Sequence, residues 1–465
     1  MSSDTAKDKD AWLQPALAAI PPWIEFQMRL WQQVGCVLAV ARHGEIVLER
    51  AFGLADLGTG EALTPRHCFR TGSHSKTFTA AGIMLLRERG RLGLDDAVGR
   101  HVPGLHADTA AATIGQLLSH SAGVTRDGPD SGQFTDRRPY PDAAEVLAAL
   151  AEAPPIPAGS RFKYSNHGYA LLGQIIERVT GEPYAAWTRR EVVDAFGLHE
   201  TEPDMPLPDS QTPFARGHTG RLLLGHRRVV PSDFETRALM PAAGFTSTAA
   251  DLARFFARLA PDAAASPLSA ASRREMTRRH WRVPHLTFEQ GYGLGTSNGA
   301  LNGWEWFGHG GGVQGTMSRT AAVPEQGIAV SVLVNGIDGM AGPWVDGALH
   351  LLQAQQRRGP PKAELADWTG RWWSLWGAFD LLPMGNRVLV ATPGFFNPLM
   401  DATEIEVLGE DRGRVAPAGG FGSNGEEARL VRDGEGRVVE VWIGGGRGVP
   451  ESVAAAEVGA AYPAS

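Results

Sequence analysis

The segment Arg358-Gly-Pro-Pro361 divides the chain into two parts of different texture. Two prolines after a glycine end a helix and favour a linker. Helical and strand-like patterns are mixed before this segment, whereas short β-like runs separated by glycine-rich turns follow it. The sequence therefore predicts an α/β (α+β) domain over 1–358, a linker over 359–365 and a small all-β barrel or sandwich over 366–465.

Apolar periodicity locates individual elements in both parts. Apolar residues every three or four positions predict helices, and short apolar runs between turn residues predict strands. The predicted helices are 11–33 (broken at Pro21-Pro22), 73–89, 168–180, 251–259 and 344–357. The predicted strands are 36–41 and 45–52 as a hairpin, 315–320, 328–334, 387–391, 404–408, 428–432 and 438–443. No helix is predicted beyond 366.

Composition excludes several classes of protein. The 465 residues are 43% apolar and 20% charged, as in an ordinary globular protein of two or three domains. A net charge of −7 gives no reason to expect nucleic acid or an anionic membrane as a partner. Apolar stretches fall short of the length that spans a membrane, and the polar N-terminus does not resemble a signal peptide, so we expect a cytoplasmic protein.

The first chemical motif is Ser73-x-x-Lys76, at the start of a predicted helix. Residues three apart share a helix face, so the lysine amine would lie beside the serine hydroxyl. A serine hydroxyl is a weak nucleophile at neutral pH and needs an adjacent base. Desolvation and the positive end of the helix dipole both lower the pKa of a lysine here, which makes Lys76 a candidate base. Ser75 is out of register, and we interpret it as structural.

The second motif is Tyr164-Ser165-Asn166, just before a predicted helix. Tyr164 is an alternative base for the serine, since a nearby cation favours the tyrosinate. Asn166 lies two residues further, on the same side of an extended segment. Its amide is a candidate to hold a substrate carbonyl or to orient Lys76, and helix N-capping is the structural alternative.

The third motif is His309-Gly310-Gly311-Gly312, just before an apparent strand. Its glycines permit close approach of another group to the backbone along a strand edge. A backbone amide of the glycine run and the amide of Ser73 are candidate donors of an oxyanion hole. His309 is a candidate to bind a substrate group or to stabilise charge during turnover.

With these motifs in this order, residues 24–358 resemble the serine β-lactamase and penicillin-binding-protein superfamily, specifically its class-C-like branch. That branch includes D-aminopeptidases, D-amino-acid amidases, DD-peptidases, family VIII carboxylesterases and penicillin-binding-protein-type thioesterases that cyclise peptides. The likeness extends to Phe52-Gly-Leu-Ala-Asp56, Leu117-Leu-Ser-His-Ser-Ala-Gly123, Ala243-Gly-Phe-Thr-Ser247 and Tyr292-Gly-Leu-Gly295. Similarly, Trp368-Thr-Gly-Arg-Trp372 resembles the start of the lipocalin-like barrel that several members append.

The resemblance implies a β-lactamase/transpeptidase-like fold, with a central antiparallel sheet flanked by helices, and a role for each motif. Ser73 would be the nucleophile, and Lys76 and Tyr164 would share the general acid/base role. Asn166 would contact substrate or Lys76, and the oxyanion amides would be those of Ser73 and Gly312. The implied chemistry uses no metal and no cofactor.

The chain departs from the family pattern at His309, which takes the place of the lysine of the lysine-threonine-glycine motif. β-Lactamases and DD-carboxypeptidases generally use that lysine to hold a substrate carboxylate. The histidine-glycine-glycine form is typical of D-aminopeptidase-like and esterase-like members, which argues against antibiotic hydrolysis as the main activity. His120, within one of the family-like segments, is interpreted as a structural hydrogen-bonding residue.

The resulting hypothesis is a serine hydrolase that forms an acyl-enzyme on Ser73. Its expected substrates are small peptides or amides, including peptides that contain D-amino acids or arise by non-ribosomal synthesis. The alternatives are a carboxylesterase on short acyl esters, an acyltransferase or peptide cyclase and, from another class, a catalytically inactive binding protein. No nucleic acid or membrane partner is expected, and the sequence does not predict an oligomeric state.

Overall fold

The computed structural model describes residues 10–209, 211–284, 289–417, 419 and 422–463. Contacts within the chain define two compact units, Gln33–Val345 and the combination of Met1–Gln32 with Asp346–Ser465. The predicted fold class is confirmed, because a mixed α/β unit with a large antiparallel sheet is accompanied by a separate antiparallel barrel. The domain boundaries drawn from the sequence stay predictions.

The larger unit is built on a nine-stranded sheet in which every neighbouring pair is antiparallel. The first eleven strands of the chain are β1 (Gly35–Arg42), β2 (Glu45–Asp56), β3 (Glu61–Ala62), β4 (Phe69–Arg70), β5 (Thr246–Ser247), β6 (Trp281–Arg282), β7 (Gln290–Tyr292), β8 (Ser297–Leu301), β9 (Trp304–Val313), β10 (Thr316–Val323) and β11 (Ile328–Val334). The order in the sheet is β3-β2-β1-β11-β10-β9-β8-β7-β6, while β4 pairs with β5 separately. The predicted hairpin is confirmed as β1 and β2, and the predicted strands at 315–320 and 328–334 are confirmed as β10 and β11.

Helices pack around this sheet and within the smaller unit. They are α1 (Leu13–Leu30), α2 (Ser75–Glu88), α3 (Ala107–Ala111), α4 (Ile114–Leu118), α5 (Ala143–Leu150), α6 (Asn166–Thr180), α7 (Tyr184–Thr188), α8 (Ala249–Leu259), α9 (Ala270–Thr277), α10 (Ala341–Arg358) and α11 (Glu451–Ala461). The predicted helices near 73–89, 168–180, 251–259 and 344–357 are confirmed as α2, α6, α8 and α10. None of these described helices is both long and apolar enough to cross a membrane.

The predicted break at Pro21-Pro22 is wrong, because α1 continues through both prolines. Each proline removes a backbone donor, which normally ends a helix. Here the buried stripe of α1 extends on both sides of them, with Leu17 and Ile20 before and Trp23 and Ile24 after. Burial of this apolar stripe offsets the lost hydrogen bonds, an effect of packing that local propensity does not report.

The smaller unit contains an eight-stranded antiparallel barrel. Its strands are β12 (Gly370–Ser374), β13 (Gly377–Met384), β14 (Arg387–Ala391), β15 (Thr403–Val407), β16 (Arg412–Val415), β17 (Glu427–Arg432), β18 (Val438–Ile443) and β19 (Gly446–Gly448), paired in chain order. Trp373 of β12 exchanges two backbone hydrogen bonds with Val449, at 2.8 and 2.9 Å, which brings the first strand to the last. Trp368 is fully buried in the barrel core with Trp372 and Leu381.

The prediction of no helix beyond 366 is wrong, because α11 follows the last strand. Its sequence is rich in alanine and lacks a periodic apolar face, and Ala454 is its one buried residue. The apolar periodicity that identified the other helices is therefore absent here.

Aromatic stacking fixes α2 in the larger unit. The Phe78 ring lies between the rings of Phe245 and Phe255, with centroids 4.3 and 4.1 Å away and almost parallel planes. All three side chains are fully buried. The stack therefore anchors α2, the helix that also carries Lys76.

We expect Phe78→Ala to lower the free energy of unfolding by about 3–5 kcal/mol, because it leaves a cavity between two rings. Phe78→Leu should lose less, since it fills part of that volume. Urea denaturation followed by tryptophan fluorescence measures both, with the half-exposed Leu57→Ala as the matched control. A loss for Phe78→Ala no larger than the control's would contradict the stack's role.

Candidate active site

Ser73 lies in a tight turn directly before α2. The turn is a 3-10 helix over Gly72–His74, and Gly72 has φ +54°. A Cβ at Gly72 would lie 2.9 Å from the backbone nitrogen of Gly312, so both the conformation and the close approach require glycine. His74 and Lys76 are fully buried, whereas Ser73 is half-buried. The turn thus leaves the hydroxyl of Ser73 accessible, as a candidate nucleophile requires.

Neighbouring side chains fasten this turn. The Ser75 hydroxyl donates to the carbonyl of Gly72 at 2.6 Å and accepts from the amide of Phe245 at 3.0 Å. The His74 imidazole contacts the Thr320 hydroxyl of β10 at 3.0 Å. Since Ser75 is fully buried and uses its hydroxyl in this way, its role is structural.

Lys76 is buried in a cage of oxygen atoms. Its Nζ lies 2.7 Å from Asn166 Oδ1, 2.8 Å from the carbonyl oxygen of Ala242 and 3.3 Å from Ser73 Oγ. Burial holds the pKa of Lys76 well below its ordinary value, although the Asp127 carboxylate acts in the opposite direction. Burial therefore favours the neutral amine over the ammonium.

Asp127 decides which way the Asn166 amide points. Asn166 Nδ2 donates to Asp127 Oδ1 at 2.6 Å, and an ionised carboxylate only accepts hydrogen bonds. The amide oxygen of Asn166 must then face Lys76. Lys76 Nζ donates to the two carbonyl oxygens of Asn166 and Ala242 at short distance. Its contact with Ser73 Oγ, at 3.3 Å, is the longest of the three.

Tyr164 completes the group around the serine. Its hydroxyl hydrogen-bonds with Ser73, and its ring centroid lies 4.7 Å from Lys76 Nζ. Burial raises the pKa of Tyr164 above its ordinary value, and the hydrogen bond from Ser73 offsets only part of that rise. Burial therefore favours a neutral phenol beside a neutral amine over a phenolate beside an ammonium.

His120 holds the Tyr164 segment in place. Its φ is +57°, a left-handed conformation. Its carbonyl accepts from the amide of Lys163 at 2.7 Å, and its Nδ1 accepts from the amide of Ser165 at 3.1 Å. The imidazole ring also packs against the Tyr164 ring, with centroids 4.1 Å apart. Backbone and side chain of His120 thus clamp the residues on both sides of Tyr164.

His309 lies inside β9 rather than before a strand, and it is buried. Its Nδ1 is 2.6 Å from the carbonyl of Gly310, so this nitrogen carries the proton. Its Nε2 accepts from the Tyr292 hydroxyl at 3.0 Å. Burial holds the pKa of His309 well below its ordinary value, so the imidazole is neutral.

The glycine run of β9 lies against the serine turn. A Cβ at Gly311 would lie 1.9 Å from the carbonyl oxygen of Thr71, so no other residue fits there. Gly310 is half-buried, and Gly312 is exposed beside Gly72. The amide of Gly312 is therefore placed near Ser73, as an oxyanion hole requires.

The structure brings the first two motifs together around one amine. Ser73 and Lys76 meet Tyr164 and Asn166 across about 90 residues of chain. Asn166 is the first residue of α6, and the helix N-cap is Ser165, whose hydroxyl accepts from the Gly168 amide at 2.8 Å. The catalytic roles of these residues stay predictions.

Sequence reasoning missed three partners of the site, Asp127, Tyr292 and the carbonyl of Ala242. Asp127 belongs to no motif. Ala242 contributes only its backbone, within an irregular turn over Met240–Gly244. Tyr292 stood in a family-like segment without a role. Of the three, only the segment around Ala242 carried a usable signal in the sequence. That signal is a run of small residues, which lets the chain approach α2 closely.

Comparisons with known proteins agree on one family. The family model described as Beta-lactamase matches residues 27–355. Penicillin-binding protein 4 of Amycolatopsis lactamdurans is 32% identical over 321 residues, which are 65% of this chain and 81% of that protein. Esterase EstB of Burkholderia gladioli is 30% identical over 356 residues, 67% of this chain and 88% of that protein.

Among solved structures, the octameric penicillin-binding protein homologue from Pyrococcus abyssi matches with a TM-score of 0.66. The match covers 93% of this chain and 99% of that one at 23% identity. At this identity the likeness shows the fold alone.

The clamp by His120 predicts different outcomes for two substitutions. Asn tolerates the left-handed conformation and can accept the Ser165 hydrogen bond, whereas Gly relieves the conformation but offers no acceptor. We expect His120→Gly to lower kcat/KM by about tenfold more than His120→Asn, at similar thermal stability. Steady-state kinetics with matched melting curves test this. Equal losses would show that the acceptor for the Ser165 amide does not contribute.

Proposed function

We propose that this chain, which belongs to the beta-lactamase family and is a serine hydrolase of that superfamily, acylates Ser73 with small peptides or amides. The observation that carries the proposal is the environment of Lys76. Its buried amine donates to two carbonyl oxygens at 2.7 and 2.8 Å and lies 3.3 Å from the Ser73 hydroxyl oxygen. A nucleophile and its base are thus already in hydrogen-bonding contact.

Acylation then needs little rearrangement. Ser73 Oγ attacks the substrate carbonyl carbon, and its proton moves to Nζ of Lys76. The amides of Ser73 and Gly312 stabilise the resulting oxyanion. When the tetrahedral intermediate collapses, Tyr164 donates its hydroxyl proton to the leaving nitrogen and regains a proton from Lys76. The acyl-enzyme remains, and water or an amine releases the acyl group.

The protonation state of Tyr164 supports an amide over an ester. An amine leaving group must be protonated as the C–N bond breaks, whereas an alkoxide or phenoxide leaves more readily. Because burial raises the pKa of Tyr164, this phenol keeps its proton beside Ser73 until the step that needs it. A buried, neutral His309 offers no cation for a substrate carboxylate, which supports the argument against β-lactams.

An esterase is the second candidate, favoured by one observation. Esterase EstB is 30% identical to this chain over 88% of its own length. The same serine, amine and oxyanion hole would cleave an ester, since an alkoxide or phenoxide leaving group depends less on a proton from Tyr164.

Labelling of the serine by a fluorophosphonate probe tests the nucleophile and its base. Because the pKa of Lys76 is lowered, the labelling rate should fall as pH drops through that lowered pKa. The rate should be constant from well below pH 10.5, the ordinary value, upward. Lys76→Ala should slow labelling by about 10²–10⁴, and the matched control Lys362→Ala, an exposed lysine, should not. Intact-mass spectrometry measures each rate.

Three results of the labelling experiment would contradict the proposal. An equal adduct on Ser73→Ala, or none on the wild type, would favour the catalytically inactive binding protein. A rate that begins to rise only near pH 10.5 would show that burial does not lower the lysine pKa.

Tyr164→Phe separates amide from ester chemistry. We expect it to lower kcat/KM by about 10²–10³ on a p-nitroanilide and by about tenfold or less on the p-nitrophenyl ester of the same acyl group. The reason is that nitrophenolate departs without a proton. Chromogenic assays on D- and L-alanyl derivatives measure this and the stereochemical preference together. Equal losses on both leaving groups would contradict proton donation by Tyr164, and faster wild-type turnover of L-amides would count against peptides that contain D-amino acids as the substrates.

A further inference from the structure

Three consecutive leucines are exposed at the tip of a hairpin in the larger unit. Leu222 and Leu223 are 87% and 92% exposed, and Leu224 is 45% exposed. Single exposed leucines are common on protein surfaces, but contiguous apolar patches mark sites of interaction. We call residues 217–230 the leucine hairpin.

The leucine hairpin has an ordered base. Thr219 donates its amide hydrogen to the carbonyl of Arg228, and Val230 donates to the carbonyl of Gly217, both at 2.9 Å. Arg227 forms an ion pair with Asp338, and its side chain is 5% exposed. Backbone pairing and the ion pair of a buried arginine therefore hold the base of the hairpin, which presents the three leucines to solvent.

Apolar exposure continues below the tip. Val229 in the hairpin and Ile337 beside it are 41% and 43% exposed. The amide of Ile337 donates to the carbonyl of His218 at 3.0 Å, which fastens this residue to the base of the hairpin. Exposed apolar side chains are therefore present at the base of the hairpin as well as at its tip.

The charge around this patch differs in sign from that of the whole chain. Residues 210–232 contain four arginines, two histidines and no acidic residue, whereas the chain as a whole carries a net charge of −7. Arg216 lies 3.8 Å from Asp233, just beyond this range. Asp338 neutralises Arg227. Arg221 and Arg228 remain on either side of the leucines as cations of the tip, with His226 next to them.

We propose that the leucine hairpin docks the protein on an anionic lipid surface. Successive residues of a turn point in different directions, so a flat protein face can cover only part of this tip. Acyl chains can surround all three leucines, and flanking arginines then reach the level of the phosphate groups. Anionic lipid also matches the local positive charge.

This proposal departs from the expectation that no membrane partner exists. That expectation used the net charge of the chain and the lack of a long apolar segment. Docking by a hairpin tip needs neither, because a few side chains enter only the boundary of the bilayer. It is also independent of the proposed hydrolase activity, since none of the hairpin residues belongs to the site around Ser73.

Sedimentation of the full chain with vesicles tests the proposal. The vesicles contain phosphatidylcholine alone or with about one third phosphatidylglycerol. We expect binding to the anionic vesicles, weakened by about tenfold or more in Leu222→Ser/Leu223→Ser. The double variant Arg221→Gln/Arg228→Gln should lose most of the preference for phosphatidylglycerol. Leu408→Ser, at an exposed leucine of the barrel unit, is the matched control and should bind as the wild type does.

Each remaining outcome overturns the proposal. Failure of the wild type to sediment with either vesicle would refute it, as would equal binding by the leucine variant. Binding to both vesicles alike would refute the role of the arginines. Self-association in size-exclusion chromatography that the leucine substitutions abolish, without vesicle binding, would assign the tip to a second copy of the chain. Unchanged fluorophosphonate labelling of the leucine variant confirms that it is folded.

Discussion

The contact between a buried lysine amine and a serine hydroxyl organises the centre of the larger unit. Removing an ammonium from water is costly, so burial of Lys76 favours the neutral amine over the ammonium and lowers its pKa. The amine donates to the carbonyl oxygens of Asn166 and Ala242 and lies 3.3 Å from Ser73 Oγ. Burial thus favours the basic form of Lys76, and the surrounding oxygen atoms fix the position of its amine beside Ser73.

The sheet contributes to the site through its glycines. The first part of β9 carries the large buried side chains of Trp304, Trp306 and Phe307, whereas three consecutive glycines follow where the strand passes the serine turn. This lets the Gly311 backbone lie against Thr71 and brings the Gly312 amide next to Gly72. His309 directly precedes these glycines. Its side chain is buried inside the fold, where it hydrogen-bonds to Tyr292. A residue in a motif position can therefore support the site without facing substrate.

Much of the fold was predictable because apolar periodicity is a local property. The strands β1, β2, β10 and β11 and the helix α6 follow directly from it. The two wrong predictions about helices also have physical causes. The prolines of α1 were overridden by burial of an apolar stripe on both sides of them, and the helix α11 has no such stripe to detect. The candidate nucleophile and both candidate bases were predictable from spacing, whereas Asp127 and the carbonyl of Ala242 were not.

The sequence by itself determined the chemistry that is available: a serine, a lysine and a tyrosine in family order, and glycines where a strand must approach a turn. Only the tertiary structure decided the protonation states, because burial and hydrogen-bond partners come from segments about 90 residues apart. The tertiary structure also decided which side chains and charges lie together at the surface. Net charge sums over all residues and hides local sign, so the basic, leucine-tipped hairpin emerges only when the chain is folded and its exposed side chains are known.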